Sequence, residues 1–245
     1  MDSAPAATHD TRRRRLAAIG LLALLFVLLL LLWDWNWFKG PVERHVEAAT
    51  GREFSIEGDL DVELSLTRPT IIAHGVVLGN PDWAGEREMI RVDQARIQWA
   101  IWKLWGGDVV LPRVELEKPR LWLERGADGQ ANWTFSDEPA DDTVPTNYPD
   151  IGELLVRDGR FRLVEPSLKT DIDVAVRSDE SASEGRAPLL LAGTGRYRDA
   201  EFELDGRIDS PLELIDAEDR FVIDLRARAG ATRAHASGGL ATPLQ

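Results

Sequence analysis

Three patterns of hydrophobic and polar positions divide this chain. In the first, Arg12, Arg13, Arg14 and Arg15 precede Leu16–Trp33, a run of 18 residues without a charge or a proline. As a helix that run spans about 27 Å, close to the ~30 Å hydrocarbon core of a bilayer. Trp33, Trp35 and Trp37 follow it as an interfacial aromatic belt, and the arginine flank sets the N-terminus in the cytoplasm. A cleaved signal peptide would have a shorter apolar run and a small-residue cleavage site, whereas this run ends in Trp-Asp-Trp-Asn-Trp. The pattern therefore predicts a cytoplasmic tail at 1–15, disordered over Met1–Asp10, a membrane helix at 16–33, and export of the rest.

The second pattern is short. Val42, Val46 and Ala49 share a helical face, Pro41 suits a first turn and Gly51 a C-terminal cap, so a helix is predicted over Pro41–Gly51.

The third pattern fills the remainder and has period two. Phe54, Ile56, Gly58, Leu60, Val62, Leu64 and Leu66 alternate with charged and polar residues, which predicts a half-buried strand with a bulge or turn at Gly58-Asp59. Ile90 and Val92 lie on even positions and Ala95, Ile97, Trp99 and Ile101 on odd ones, so a bulge is expected near Asp93-Gln94. Val109–Leu111, Val114–Leu116 and Leu121–Leu123 read as short strands confined to edges or ends by Pro112 and Pro119. Ser136–Asp150, with three prolines and five acids, is a loop or linker. Alternation resumes at Phe161/Leu163, Ile172/Val174/Val176, Leu189/Leu191, Phe202/Leu204/Ile208 and Phe221/Ile223/Leu225/Ala227. Asp158-Gly159 and Asp205-Gly206 read as turns or bulges. Residues Gly206–Glu213 are echoed 32 residues later by Gly238–Gln245, a repeat that suggests a sheet growing by addition of like strands. The exported part thus divides into a first β unit at 34–135 with its helix at 41–50, a linker at 136–150 and a continuing β-repeat region at 151–245. The second copy of the repeat ends the sequence, which suggests a piece of a longer chain.

Composition narrows the chemistry. The 245 residues carry a net charge of −13 and no cysteine, which removes nucleic acid as a partner and excludes disulfides, thiolate metal sites and cysteine nucleophiles. Two of the 42 acids and four of the 29 bases precede residue 34, so the exported part is more acidic still and is repelled by an anionic membrane surface. His9, His45, His74 and His235 are too far apart for a metal-binding spacing. No nucleophile elbow is present, and acid pairs such as Asp59/Asp61 read as a solvated strand face. Asn132-Trp133-Thr134 matches a glycosylation acceptor. No catalytic residue, cofactor or metal site is expected, and the chain reads as a non-enzyme.

Pro41–Leu66, Leu78–Ala84 (LGNPDWA), Leu111–Trp133, Gly206–Ala217 (GRIDSPLELIDA) and Leu225–Leu244 occur in an order that resembles AsmA-family envelope proteins. The resemblance implies a bacterial inner-membrane protein with a periplasmic body, similar to bridge-like lipid-transfer proteins, whose strands curl into a gutter with an apolar floor. It implies phospholipid as the groove ligand and outer-membrane assembly or lipid-transport proteins as partners. The expected fold is mainly β: a transmembrane helix, a short helix, then an elongated twisted antiparallel groove.

The pattern by itself leaves two functions open. A half-buried sheet without a helical cover either packs on itself as a scaffold or stays open as a slot for acyl chains, each buried methylene contributing about 0.8 kcal/mol. About 14 strands at ~4.8 Å spacing make a sheet ~65 Å long. The groove candidates are Phe54, Ile56, Leu60, Val62, Leu64, Leu66, Ile97, Trp99 and Ile101, with Trp102 and Trp105 as further aromatic contacts. The membrane-interface candidates are Arg12–Arg15, Trp33, Trp35 and Trp37.

Overall fold

The computed structural model describes residues 8–31, 34–65, 67–100, 103, 109–135, 150–181, 187–198, 200–214 and 220–241. The chain divides into two units, residues 1–37 and 38–245.

The first unit is the helix α1, Thr8–Leu31, followed by a 3-10 turn over Trp35–Phe38. Helix begins at Thr8, inside the stretch expected to be disordered, and takes in Arg12–Arg15. Its uncharged part is therefore Leu16–Leu31, about 24 Å of rise. Leu32 and Trp33 lie outside the described residues. Among the described residues no helix is long and apolar enough to cross a membrane, so the expected span Leu16–Trp33 is not seen as one continuous crossing.

The second unit opens with α2, Lys39–Thr50, as the sequence predicts. Gly51 ends it at φ 65, with its N–H on the Glu47 carbonyl at 2.8 Å. A Cβ is disfavoured at that angle, which is why glycine closes the helix.

Strands then follow almost without interruption. They are β1 Phe54–Ile56, β2 Leu60–Glu63, β3 Thr70–Gly79, β4 Glu88–Gln98, β5 Val110–Leu111, β6 Arg113–Glu117, β7 Arg120–Glu124 and β8 Asp150–Ile151. After these come β9 Leu154–Arg157, β10 Gly159–Glu165, β11 Thr170–Ser178, β12 Leu189–Tyr197, β13 Ala200–Ile208, β14 Arg220–Ala229 and β15 Thr232–Ala241. Thirteen form one sheet, ordered β1-β3-β4-β7-β10-β11-β12-β13-β14-β15, with β2 beside β3 and the pair β6-β9 branching from β4; β5 and β8 pair separately.

The sheet is mixed, not antiparallel throughout. β6 with β9, β7 with β10, and β5 with β8 run parallel. The long connection between Glu124 and Asp150 returns the chain to the end of the sheet it left, and parallel pairing needs such a crossover. Val114–Leu116 and Leu121–Leu123 are interior strands, flanked by β4 on one side and β9 or β10 on the other, so of the two places the prolines allow it is the strand ends that hold. Pro119 is tolerated because it stands between β6 and β7, where the ladder is interrupted.

That interruption is one fold line crossing the first five strand tracks. Gly58 and Asp59 both face His74, through Gly58 N–H to the His74 carbonyl (2.9 Å) and His74 N–H to the Asp59 carbonyl (3.0 Å); this is the expected bulge. In β3 the line passes through Gly75 at φ 65. No residue is inserted between β3 and β4 near Asp93; their register is the same on both sides, and only the Gly75–Asp93 pairing lapses. Lys118 (φ 48) and Asp158 (φ 51) carry the line through β6/β7 and β9/β10. The apolar positions change parity there, from Ala73 to Val76 and from Ala95 to Val92, yet stay on one side. Ile56, Leu60, Ala73, Phe54, Ile71 and Val76 accordingly pack as one cluster.

The β1 edge is closed to further strands. Glu47 Oε1 accepts the Phe54 N–H (3.3 Å) and Glu43 Oε1 accepts the Ile56 N–H (2.9 Å), so two acids one helical turn apart on α2 take the outward donors of β1.

Candidate functional site

Cross-strand register sorts the side chains of the main sheet onto two sides. One rung runs Phe54, Leu78, Ile90, Leu121, Phe161, Val174, Gly193, Leu204, Ala227 and Ala234, each in register with the next. Ten strands thus contribute to a stripe without a charged or polar side chain. A second rung runs Gly159, Val176, Leu191, Gly206, Leu225 and Ala236. Beyond the fold line the same side continues as Leu60, Ala73, Ala95, Leu116 and Val156, and as Val62, Ile71, Ile97, Val114 and Leu154.

Burial along this side is graded. Ile56, Leu60, Ala73, Ala95, Val114, Val156 and Val174 are buried. Leu191, Leu204 and Leu225 are only half-buried, and β15 is exposed. The apolar side is thus closed near β2–β9 and more accessible at Leu191, Leu204, Leu225 and β15, while Leu189 and Phe221 farther along β12 and β14 are buried.

The opposite side is a lattice of ion pairs. Arg160 grips Asp173 with Nε (2.7 Å) and Nη2 (2.6 Å), and Arg162 grips Asp171 with Nε (3.0 Å) and Nη2 (2.9 Å). Arg162 also stacks on Trp122, its guanidinium carbon 4.4 Å from the ring centre. Arg157 reaches Glu115, Glu117 and Glu180. Hydrogen bonds from these arginines hold the Asp173 and Glu180 carboxyls below the usual carboxylate range, and raise the Arg160 and Arg157 guanidinium pKa values. These bonds pair much of the charge on the polar side within the sheet itself.

The groove candidates separate on this frame. Phe54, Ile56, Leu60, Val62 and Ile97 all sit in the apolar rungs or their packed cluster. Leu64 lies past the end of β2 and is 44% exposed. Trp99 follows β4, with its N–H on the Pro69 carbonyl (3.0 Å) and its indole Nε1 buried without a partner. Leu66, Ile101, Trp102 and Trp105 lie outside the described residues. Of the interface candidates, Arg12–Arg15 are in α1, Trp35 and Trp37 in the turn after it, and Trp33 outside the described residues. Sequence reading found the alternation in Leu121, Phe161, Val174 and Leu204, but not that they form a single rung; only the register shows that.

The remaining motifs resolve as structure. Asn132 is wholly buried, so the acceptor pattern at Asn132-Trp133-Thr134 is closed to a glycan. Its Oδ1 accepts the Glu124 N–H (3.0 Å), and its Nδ2 donates to Asn80 Oδ1 and the Trp122 carbonyl (both 2.8 Å). His235 bonds Asp224 at 2.7 Å on an exposed strand face. Among the described residues no His, Asp and Glu cluster could hold a metal ion.

The chain is 26% identical over 257 residues to the AsmA family protein YhjG of Escherichia coli (strain K12), an alignment covering 92% of this chain and 38% of the relative. The chain therefore spans well under half the length of that relative. No solved structure matches. The AsmA family model matches residues 11–209, and the chain belongs to this family of bacterial envelope proteins.

Proposed function

We propose that this chain is an inner-membrane-anchored periplasmic protein whose sheet holds the acyl chains of phospholipid on its apolar side and passes them toward the outer membrane. The observation that carries the reading is the ten-strand rung from Phe54 to Ala234, a path free of ionised groups that opens toward β12–β15. An acyl chain lying along it gains about 0.8 kcal/mol per methylene removed from water, so a few carbons of contact suffice to hold a lipid. Carriage needs no bond-making, and no catalytic role is assigned. The run Leu16–Trp33 between Arg12–Arg15 and the tryptophans supports the anchor. Membership of an envelope family supports the location, and outer-membrane assembly or lipid-transport proteins are the partners it suggests.

A second reading, an assembly factor without lipid carriage, is favoured by the burial of Leu60, Ala73, Ala95 and Val156, which fill that part of the apolar side with protein.

Native mass spectrometry with lipid extraction on the purified full chain separates the two. Transport predicts co-purifying phospholipid that is lost in Leu204→Asp, with the β circular dichroism kept, and retained in Glu203→Lys on the other side. A folded, lipid-free chain would favour the scaffold.

A further inference from the structure

Two rows of the apolar side end in arginine. Arg52 stands two residues before Phe54, and Arg125 two residues after Leu123. Both line a cavity of about 720 Å³ at the ends of β1, β3 and β7, together with Trp83, Ala131, Thr134 and Phe135. Two aromatic side chains of this lining are exposed, Trp83 at 38% and Phe135 at 41%.

The two guanidinium groups differ in their commitments. Arg125 is engaged: Nε bonds Glu165 at 2.8 Å, Nη1 donates to the Gly129 carbonyl at 3.0 Å, and its guanidinium carbon lies 5.1 Å from the Trp133 ring centre. Arg52 has no such partner. Its guanidinium makes a single long hydrogen bond, Nη2 to the Thr134 carbonyl at 3.4 Å, and its Nε is buried without an acceptor. Glu53 and Asp82 also line the cavity, and neither bonds Arg52. Arg52 is half-buried, and a guanidinium at the cavity held by one weak hydrogen bond keeps charge-assisted donors for an oxyanion.

We propose that Arg52 is the head-group anchor of an amphiphile: its guanidinium binds a phosphate oxyanion in this cavity while the attached acyl chain follows Phe54 and Ile56 onto the apolar side. Trp83 and Phe135 flank the glycerol region, where an aromatic ring meets both apolar and polar atoms. This rests on the acyl-binding reading above and adds the chemistry of the head to it.

The test uses the full chain in non-ionic detergent, titrated with fluorescent phosphatidylglycerol and with a fluorescent diacylglycerol of the same chains. The wild type is expected to prefer the phosphate-bearing lipid about tenfold, the effect of one charge-assisted contact. Arg52→Gln, which retains length and an N–H donor, should abolish the preference and leave diacylglycerol binding unchanged; Arg52→Lys should keep part of it. A wild type that binds both lipids equally, or an Arg52→Gln variant that weakens both alike, overturns the head-group site and leaves the acyl groove standing. A wild type that binds neither lipid overturns the groove itself. Inorganic phosphate that binds the lipid-free chain and displaces phosphatidylglycerol would make this a site for free phosphate and overturn the lipid assignment.

Discussion

The ring of Phe202 lies across Gly195, its cross-strand partner, so closely that a Cβ on Gly195 would fall inside the ring's van der Waals envelope. Gly193, one step along the same side, meets backbone instead: its Cβ would lie 2.6 Å from the Val174 Cα. These contacts rank two substitutions. Gly195→Ala is relieved by turning one side chain and should cost about 1–3 kcal/mol, as overpacking does. Gly193→Ala must displace β11 and should cost more. In urea melts Phe202→Leu is expected to rescue the first and not the second; equal rescue would mean that the ring does not decide the cost.

Asn132 should be among the least replaceable polar residues. Its three side-chain hydrogen bonds tie β7 to the turns at Asn80 and Ala131 from a wholly buried position. Asn132→Leu leaves the Glu124 N–H, the Trp122 carbonyl and Asn80 without these partners and should destabilise by about 2–4 kcal/mol. Asn80→Ala removes one of the three and should cost less than half as much in the same melt.

Much of this fold was legible in the residues. The strict alternation of Phe54–Leu66 and the Gly58-Asp59 break predict β1, β2 and their bulge, and the parity change from Val92 to Ala95 marks where the sheet folds. What stayed hidden has physical reasons. Lys118 adopts positive φ, which its residue type does not announce, whereas the Asp158-Gly159 turn signal does mark the positive φ at Asp158. Parallel pairing of β7 with β10 depends on where a long connection returns, which alternation does not encode. Arg52 carries no signal in the sequence, because period-two reasoning assigns sides and cannot see that a strand end lines a cavity.

Arg120 offers a gain in stability. It sits in register between Arg91 and Arg160. Arg91 is paired with Glu57 and Glu88 and Arg160 with Asp173, whereas Arg120 makes no ion pair among the described residues. Like charges directly opposite on a sheet are unfavourable by roughly 0.2–1 kcal/mol per pair. Arg120→Glu should therefore raise the melting temperature, most at low ionic strength, and the gain should shrink as salt is added. An unchanged melting temperature at low salt would mean that solvent already screens the row.

Acid should loosen the polar side through Asp173. The Arg160 guanidinium holds its carboxyl below the ordinary range, so the folded state binds the proton less readily than the unfolded chain. A depressed folded pKa contributes stability that is complete above the unfolded-state value of about 3.9 and is lost as pH falls through the folded value. Asp173→Asn removes this contribution at neutral pH and has nothing left to lose in acid. The difference in unfolding free energy between wild type and Asp173→Asn should accordingly be largest above pH 5 and narrow steadily below pH 4. A difference that stayed constant down to about pH 2 would show that the Asp173 contacts act through packing alone, independent of the charge that Arg160 holds in place.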